Sequence, residues 1–359
     1  MLLTPTAKAC DLPGSGVEID GRVMILGAYG MGNVGDEAIL AGLLARARDK
    51  SRLVVVSGAP AETSALHGVR AISPKAAPAA LRNVDAVVIG GGGLFSAHMG
   101  TAGRMIPLFG LSALAMGKTV TLEGVSVDRR LPAISRPFLI RLARRAARVV
   151  VRDAQSMKIL RSWGVRAVVE PDLSLYLDPA PASEAETILT SMGFDPTQPI
   201  VGLCLTAVEP ELDPFLRAIP GVIERFSGVQ FCFVPMSRHR SVTRHNDAVL
   251  AARIQGEAPA LRVVQGVYHP REVLGLFSHF SAAVCMRFHS FLFADRMGTP
   301  IIGVPYAQKC ESWLQERGVS AVPANEQHLI DAIGAAIGGE VPPTCYRGNV
   351  LEPLVELQS

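Results

Sequence analysis

Short β-branched and apolar runs that end in glycine or a polar residue recur along the chain at residues 22–27, 52–58, 85–90, 119–124, 148–152 and 167–170. Segments of helical periodicity lie between them. Continuous apolar runs of this kind predict buried parallel strands joined by crossover helices. The stretch 178–187, DPAPASEAET, carries two prolines and several acids and predicts an interdomain connection. The strand–helix cycle restarts at 199–206, 230–235, 262–265, 282–286 and 301–305. The predicted fold class is α/β, with two Rossmann-like domains whose strand carboxyl ends face one cleft, the place where open α/β sheets bind ligands. The predicted boundaries are an N-terminal tail at 1–20, a first domain at 21–180, a second at 181–338 and a C-terminal tail at 339–359. The halves share a pattern but no repeat in the residues themselves.

Composition narrows the function classes. A length of 359 residues suits two domains, and 49% hydrophobic residues supply two cores. A net charge of +3 is too mild for a nucleic-acid binder, yet allows a small anionic substrate. Six cysteines, Cys10, Cys204, Cys232, Cys285, Cys310 and Cys345, stand without a CxxC pair or a Cys/His cluster, as reduced cytoplasmic thiols do. The first residues lack the basic start and apolar run of a secretory signal, and no apolar stretch reaches the roughly 20 residues of a membrane span. A cytoplasmic protein without a bound metal is the expectation.

Four segments carry candidate chemistry. In GAYGMGNVGDEAIL, 27–40, Gly30, Gly32 and Gly35 satisfy GxGxxG, but the next strand ends without the acid a dinucleotide ribose needs. Gly32 and Asn33 would approach a ligand through the backbone. Asp36 and Glu37 either cap the following helix, whose apolar face is Ile39, Leu43 and Leu44, or hold sugar hydroxyls. In IGGGGLF, 89–95, the glycines Gly91, Gly92 and Gly93 at a strand's carboxyl end permit close backbone approach to a ligand or the facing domain. Arg152 ends a strand at the cleft side and is a candidate for an anion. In 284–309 a strand delivers Arg287 and His289, two apart and so on one side of an extended segment, before a helix begins near Ser290. Tyr306 and Lys309 follow the next strand. An arginine, an imidazole, a helix amino end and a lysine together describe an anion site with an acid/base group. His239, His245 and His269 fall in polar loops, and His98 is the candidate for acceptor contact.

These motifs, in this order, resemble the polysaccharide pyruvyl transferase family: YGxxNxGDExIL at 29–40, GGGGLF at 90–95, RDxxSxxxLxxxG at 152–164, PDLSL at 171–175 and RFHSxxFAxxxGTPxIGxPYxxK at 287–309. The resemblance implies a GT-B-like fold, a donor side in the second domain and an acceptor side in the first. It implies phosphoenolpyruvate as donor substrate, no further cofactor, and a pyruvate ketal on a sugar or lipid-linked oligosaccharide acceptor. Arg152, Arg287, His289 and Lys309 match the family's donor-binding and catalytic positions. On that reading His289 protonates the donor, Arg152 and Arg287 clamp it in bidentate fashion, Lys309 neutralises departing phosphate, and Asp36 or Glu37 activates the acceptor. One departure is LEGVSVDRR, 122–130, where many relatives carry a GxGP-type segment. A nucleotide-sugar glycosyltransferase of the same fold would instead want a ribose carboxylate such as Glu311. A non-catalytic binding protein of polysaccharide assembly would not need Arg287, His289 and Lys309.

The segment RPFLIRLARRAAR, 136–148, has five arginines interleaved with apolar residues. It reads either as a core-packed crossover helix with a solvated basic face or as a helix lying on an anionic membrane. The oligomeric state is left open.

Overall fold

The computed structural model describes residues 21–341 apart from Arg48 and 97–101. The sequence-predicted tails at 1–20 and beyond 341, and His98, lie outside the described residues.

The first half comprises β1 (Val23–Leu26), α1 (Val34–Ala45), β2 (Leu53–Val56), α2 (Pro60–His67), β3 (Arg70–Ile72), α3 (Ala77–Ala80), β4 (Ala86–Phe95), α4 (Ala102–Ala115), β5 (Thr119–Val127), α5 (Arg136–Ala143), β6 (Arg148–Val151), α6 (Ala154–Ser162) and β7 (Val168–Val169). The second comprises α7 (Ala182–Ser191), β8 (Ile200–Cys204), α8 (Asp213–Arg225), β9 (Gln230–Phe233), α9 (Asp247–Glu257), β10 (Arg262–Val263), α10 (Pro270–Leu276), β11 (Ala282–Cys285), α11 (Phe288–Met297), β12 (Ile301–Gly303), α12 (Gln308–Glu316) and α13 (Glu326–Ile337). The strand orders are β3-β2-β1-β4-β5-β6-β7 and β10-β9-β8-β11-β12, parallel throughout. In each sheet the order reverses once, between β1 and β4 and between β8 and β11. Those reversals are the topological switch points where such sheets hold ligands.

Helix α1 joins the halves. From Glu37 to Leu44 every residue is buried. Ile39, Leu40, Leu43 and Leu44 pack on the first sheet, while Ala38 and Ala41 belong to the second half's core with Leu274, Phe291 and Leu292. Small residues on the second face let that half come close. Beyond α1, the loop after β9 docks on the first half: Val34 N–H donates to Met236 O (2.9 Å) and Arg238 N–H to Gly32 O (2.7 Å).

Several sequence expectations need correcting. Strand β4 does not stop at Gly90 but runs through the glycines to Phe95, with a register break against β5 between Gly92 and Phe95. Gly91 (φ 63°) and Gly92 (φ 80°) take the left-handed conformations that this break requires. The supposed connection at 178–187 is helical in its second part, because Ala185, Ile188 and Leu189 of α7 form a buried stripe directly after Pro181. In α5, Leu139 and Leu142 are fully buried in the core of the first half. Arg144 donates to the Trp163 and Gly164 carbonyls, and Arg136 lies over the Trp163 ring. Leu139 and Leu142 thus pack as the crossover-helix reading has them, while Phe138 and Ile140 stay partly exposed.

Candidate active site

The two switch points face each other across an open-mouthed cavity of about 80 Å³. From the first half it is lined by Asn33, Gly35, Asp36, Gly92, Gly93 and Arg152, and from the second by Met236, Arg287, Phe288, His289, Tyr306 and Lys309. Nine residues singled out in the sequence thus meet at one place.

Four others do not line it. Glu37 is buried beside it, its Oε2 2.8 Å from His67 Nε2 and its Oε1 accepting from Gly30 N–H (2.7 Å). The Gly32 carbonyl is used by Arg238, and a Cβ there would stand 2.7 Å from the Arg238 carbonyl. Gly91 lies against Ile39, whose Cγ2 is 1.9 Å from where a Cβ would stand. Ser290, buried in the first turn of α11, donates to the Arg287 carbonyl (2.6 Å). These are packing and capping residues whose sequence signal matches that of ligand-facing neighbours. Glu311, the ribose candidate, is exposed on α12 away from the cavity.

The helix amino ends differ in what they leave open. At α1 the Asn33 Oδ1 accepts from Gly35 N–H (2.9 Å) and Asp36 N–H (3.3 Å), and the Val34 amide is bound to Met236. That end is satisfied from within the protein. Helix α11 starts at Phe288, two residues earlier than its sequence suggests, so Arg287 is the N-cap and His289 lies in the first turn rather than beside Arg287 on a strand. Neither α11 nor α12 has a side-chain cap. Ser290 and Cys310 N–H turn back to the Arg287 and Ala307 carbonyls, so both helices leave their first amides without a side-chain acceptor and present the positive end of their dipoles at the residues that line the cavity.

The cations are held in different ways. Arg287 grips the buried Asp247 with Nε (3.1 Å to Oδ2) and Nη2 (2.6 Å to Oδ1), and Nη2 also reaches His245 O (3.3 Å). Burial would make Arg287 easier to deprotonate, but Asp247 outweighs it and keeps the guanidinium charged. Arg152 donates from Nε to Ser126 (2.7 Å) and from Nη1 to Asp172 (2.8 Å), with its plane 4.8 Å from the Phe288 ring centre. The two-toothed grip expected from sequence is thus spent on protein carboxylate by Arg287, which also has Tyr306 against it, and divided between two partners by Arg152. Lys309, 5.7 Å from the other cation's aromatic platform, Phe288, has no ion pair among the described residues. Its side chain is solvent-accessible along the cleft, yet the surrounding protein lowers its pKa, with Arg152 adding repulsion.

The acid/base groups sit between these cations. Burial raises the Asp36 carboxyl from 3.8 to about 6, against the opposing pull of His289. His289 is fitted against α1, since a Cβ on Gly35 would stand 1.9 Å from its Nδ1. Its Nε2 is 3.7 Å from Asp172 Oδ1. Asp172, Asp247 and Phe288 were not singled out as site residues from sequence. Asp172 sits in the PDLSL motif and Phe288 between two flagged residues, whereas nothing near Asp247 marks it. Among the described residues no three His, Cys, Asp or Glu side chains are grouped to hold a metal ion, and no helix is long and apolar enough to cross a membrane.

The sequence matches the family model for polysaccharide pyruvyl transferase over residues 33–308, which spans both halves and every residue that lines the cavity except Lys309, the next in the chain. The chain belongs to that family. No curated protein matches it. Among solved structures it is similar to the S. aureus MnaA-UDP co-structure, with TM-score 0.59, 10% identity, and coverage of 90% of this chain and 92% of that one. The UDP-GlcNAc 2-epimerase from Neisseria meningitidis bound to UDP-GlcNAc gives 0.59, 11% identity, 88% and 91%. Anabaena HepE in complex with UDP-glucose gives 0.58, 12% identity, 90% and 92%. At these identities the likeness is one of fold, and the polysaccharide pyruvyl transferase family member shares the GT-B-like arrangement.

Proposed function

We propose that the protein transfers the pyruvyl group of phosphoenolpyruvate to a pair of hydroxyls on a sugar of a cell-surface polysaccharide or its lipid-linked precursor, forming a ketal and releasing phosphate. One observation carries this reading: the uncapped amino ends of α11 and α12 meet beside Lys309, Arg287 and Arg152, while the α1 end is closed by Asn33. A small, multiply charged anion is what two helix amino ends without side-chain caps and three cations favour, and it belongs on the second-half wall. The phosphate of the donor takes the Lys309 side and its carboxylate the arginine side. His289 supplies a proton to the methylene carbon, whose double-bond electrons form the new C–H bond. Cationic neighbours hold the donor in place while positive character grows on C2. Asp36 takes the proton of the first sugar hydroxyl as its oxygen bonds to C2. Phosphate leaves with the electrons of its C–O bond, and the second hydroxyl closes the ketal. Asp36 passes its proton to the departing phosphate and the second hydroxyl's proton restores His289, so both side chains end as they began.

The test is phosphate release from phosphoenolpyruvate with a panel of sugar acceptors, together with the mass gain of a pyruvyl ketal on product. His289→Ala should lower turnover by about a hundredfold or more while donor binding persists. Turnover within a few-fold of the parent would remove His289 from this role, and hydrolysis of a nucleotide sugar instead of phosphoenolpyruvate would replace the reading.

A further inference from the structure

The geometry points to Asp172 as the positioning residue that fixes the tautomer of His289 and ties it to Arg152 across the cleft. The inference deepens the pyruvyl-transfer reading and rests on it for the reaction, though not for the geometry. Asp172 follows β7 and caps the 3-10 turn Leu173–Tyr176. It is 5% exposed, and its two oxygens divide their work. Oδ2 accepts from Arg152 Nη1 (2.8 Å), while Oδ1 accepts from Ser174 N–H (2.9 Å) and Oγ (2.7 Å) and faces His289 Nε2 at 3.7 Å. Arg152 belongs to the first half and His289 to the second, so one carboxylate touches both walls of the site. Its own position is tightly set. The turn packs on α1 at Gly42, where a Cβ would stand 1.9 Å from Leu173 O, and the Leu173 side chain fills the space beside Gly124.

The two ring nitrogens of His289 are not equivalent. Nε2 is buried and has no hydrogen-bond partner at the observed separation, whereas Nδ1 faces Gly35 on the cavity wall. A gap of 3.7 Å exceeds a hydrogen bond by less than 1 Å, and catalytic contacts of this kind commonly tighten when ligand fills a site. Burial alone would raise the Asp172 carboxyl, but the close approach of His289, the Arg152 charge and the Ser174 hydroxyl hold it well below the usual carboxylate range. An anion facing Nε2 keeps a proton there, which leaves Nδ1 as the nitrogen that exchanges its proton with bound substrate. In the transfer step the Nδ1–H bond breaks as the donor's C–H bond forms, and the Nε2 proton stays on the ring, directed at the Asp172 carboxylate.

The experiment is ¹⁵N NMR of the intact protein with labelled histidine, His289 being assigned by loss of its signal in His289→Ala, alongside kinetics with phosphoenolpyruvate. The neutral His289 ring is expected to carry its proton on Nε2, with that preference lost in Asp172→Asn. In the same variant kcat should fall by about tenfold or more, part of what a general acid contributes, with the donor dissociation constant within a few-fold of the parent. A wild-type ring protonated on Nδ1 overturns the proposal even if the variant fails to fold, and so does a tautomer unchanged in a folded Asp172→Asn protein. If the tautomer behaves as expected but phosphoenolpyruvate yields no phosphate, the reaction assignment fails while the positioning role stands.

Discussion

Arg287 enters the cleft with its Nε and Nη2 committed to Asp247, which also receives the Ser237 amide (2.9 Å). Removing one member of a buried pair strands the other at a cost of about 3–5 kcal/mol. Asp247→Ala should therefore depress kcat/KM about as much as Arg287→Ala, and the double variant should lose little more than either single one. Arg287→Lys should resemble Arg287→Ala, because an ammonium cannot span both Asp247 oxygens and keep the planar fork at the cavity wall. Additive losses in that double-mutant cycle would show that the two residues act separately. Asp36 gives the pH dependence. With its carboxyl raised to about 6 by burial, a base role requires kcat/KM to fall as pH drops through about 6, and Asp36→Asn should be slow without that acid limb. Stability moves the other way. The folded state binds this proton more tightly than the unfolded one, so ionising Asp36 costs stability as pH rises from about 4 to 6. A kcat/KM profile flat from pH 5 to 8 would exclude Asp36 as the base.

At the scale of elements, the predicted strand positions in both sheets and the apolar face of α1 were readable because buried parallel strands are near-continuous apolar runs. Edges of elements were less readable. Strand β3 is three residues with an exposed start, and nothing in RAI distinguishes it from loop. The α11 boundary slipped because Arg287 caps the helix through backbone geometry alone, without the Ser, Thr, Asp or Asn that marks an N-cap. The glycine run mixes two roles in one motif. Gly91 yields to Ile39 of α1, with a Cβ position 1.9 Å from Cγ2 and a φ of 63°, whereas Gly93 has nothing within 4 Å and borders the cavity. Four identical letters carry no information about which faces ligand. Gly91→Ala should destabilise the protein by about 2 kcal/mol or more, from overpacking and left-handed strain together. Gly93→Ala should leave the urea midpoint nearly unchanged. Equal midpoints for the two variants would mean that α1 and β4 can separate without cost.

Across the whole molecule, the site exists only while the halves stay in register, and the contacts that hold them are mostly those of α1. Ala38 and Ala41 sit in a core built from the second half, while Ile39 and Leu43 sit in the first. The Arg240–Glu62 ion pair is exposed and adds little. The His67 and His269 rings, with centres 5.1 Å apart, extend the same contact at the far side of α1. Unfolding either half would expose one face of a helix that the other half needs. The chain should therefore unfold as one cooperative unit despite having two sheets. Its two tryptophans make this measurable, because Trp163 follows α6 in the first half and Trp313 lies on α12 in the second. Trp163→Phe leaves a fluorescence reporter for the second half, and Trp313→Phe leaves one for the first. Once each variant's own shift in stability is corrected by far-UV circular dichroism, both fluorescence transitions in urea should coincide with the loss of helix. Placing a carboxylate in the shared core with Ala41→Glu should lower both midpoints together. Separate transitions for the two reporters in the otherwise unaltered protein would show that each half carries its own stability, and that the cleft is free to open without unfolding.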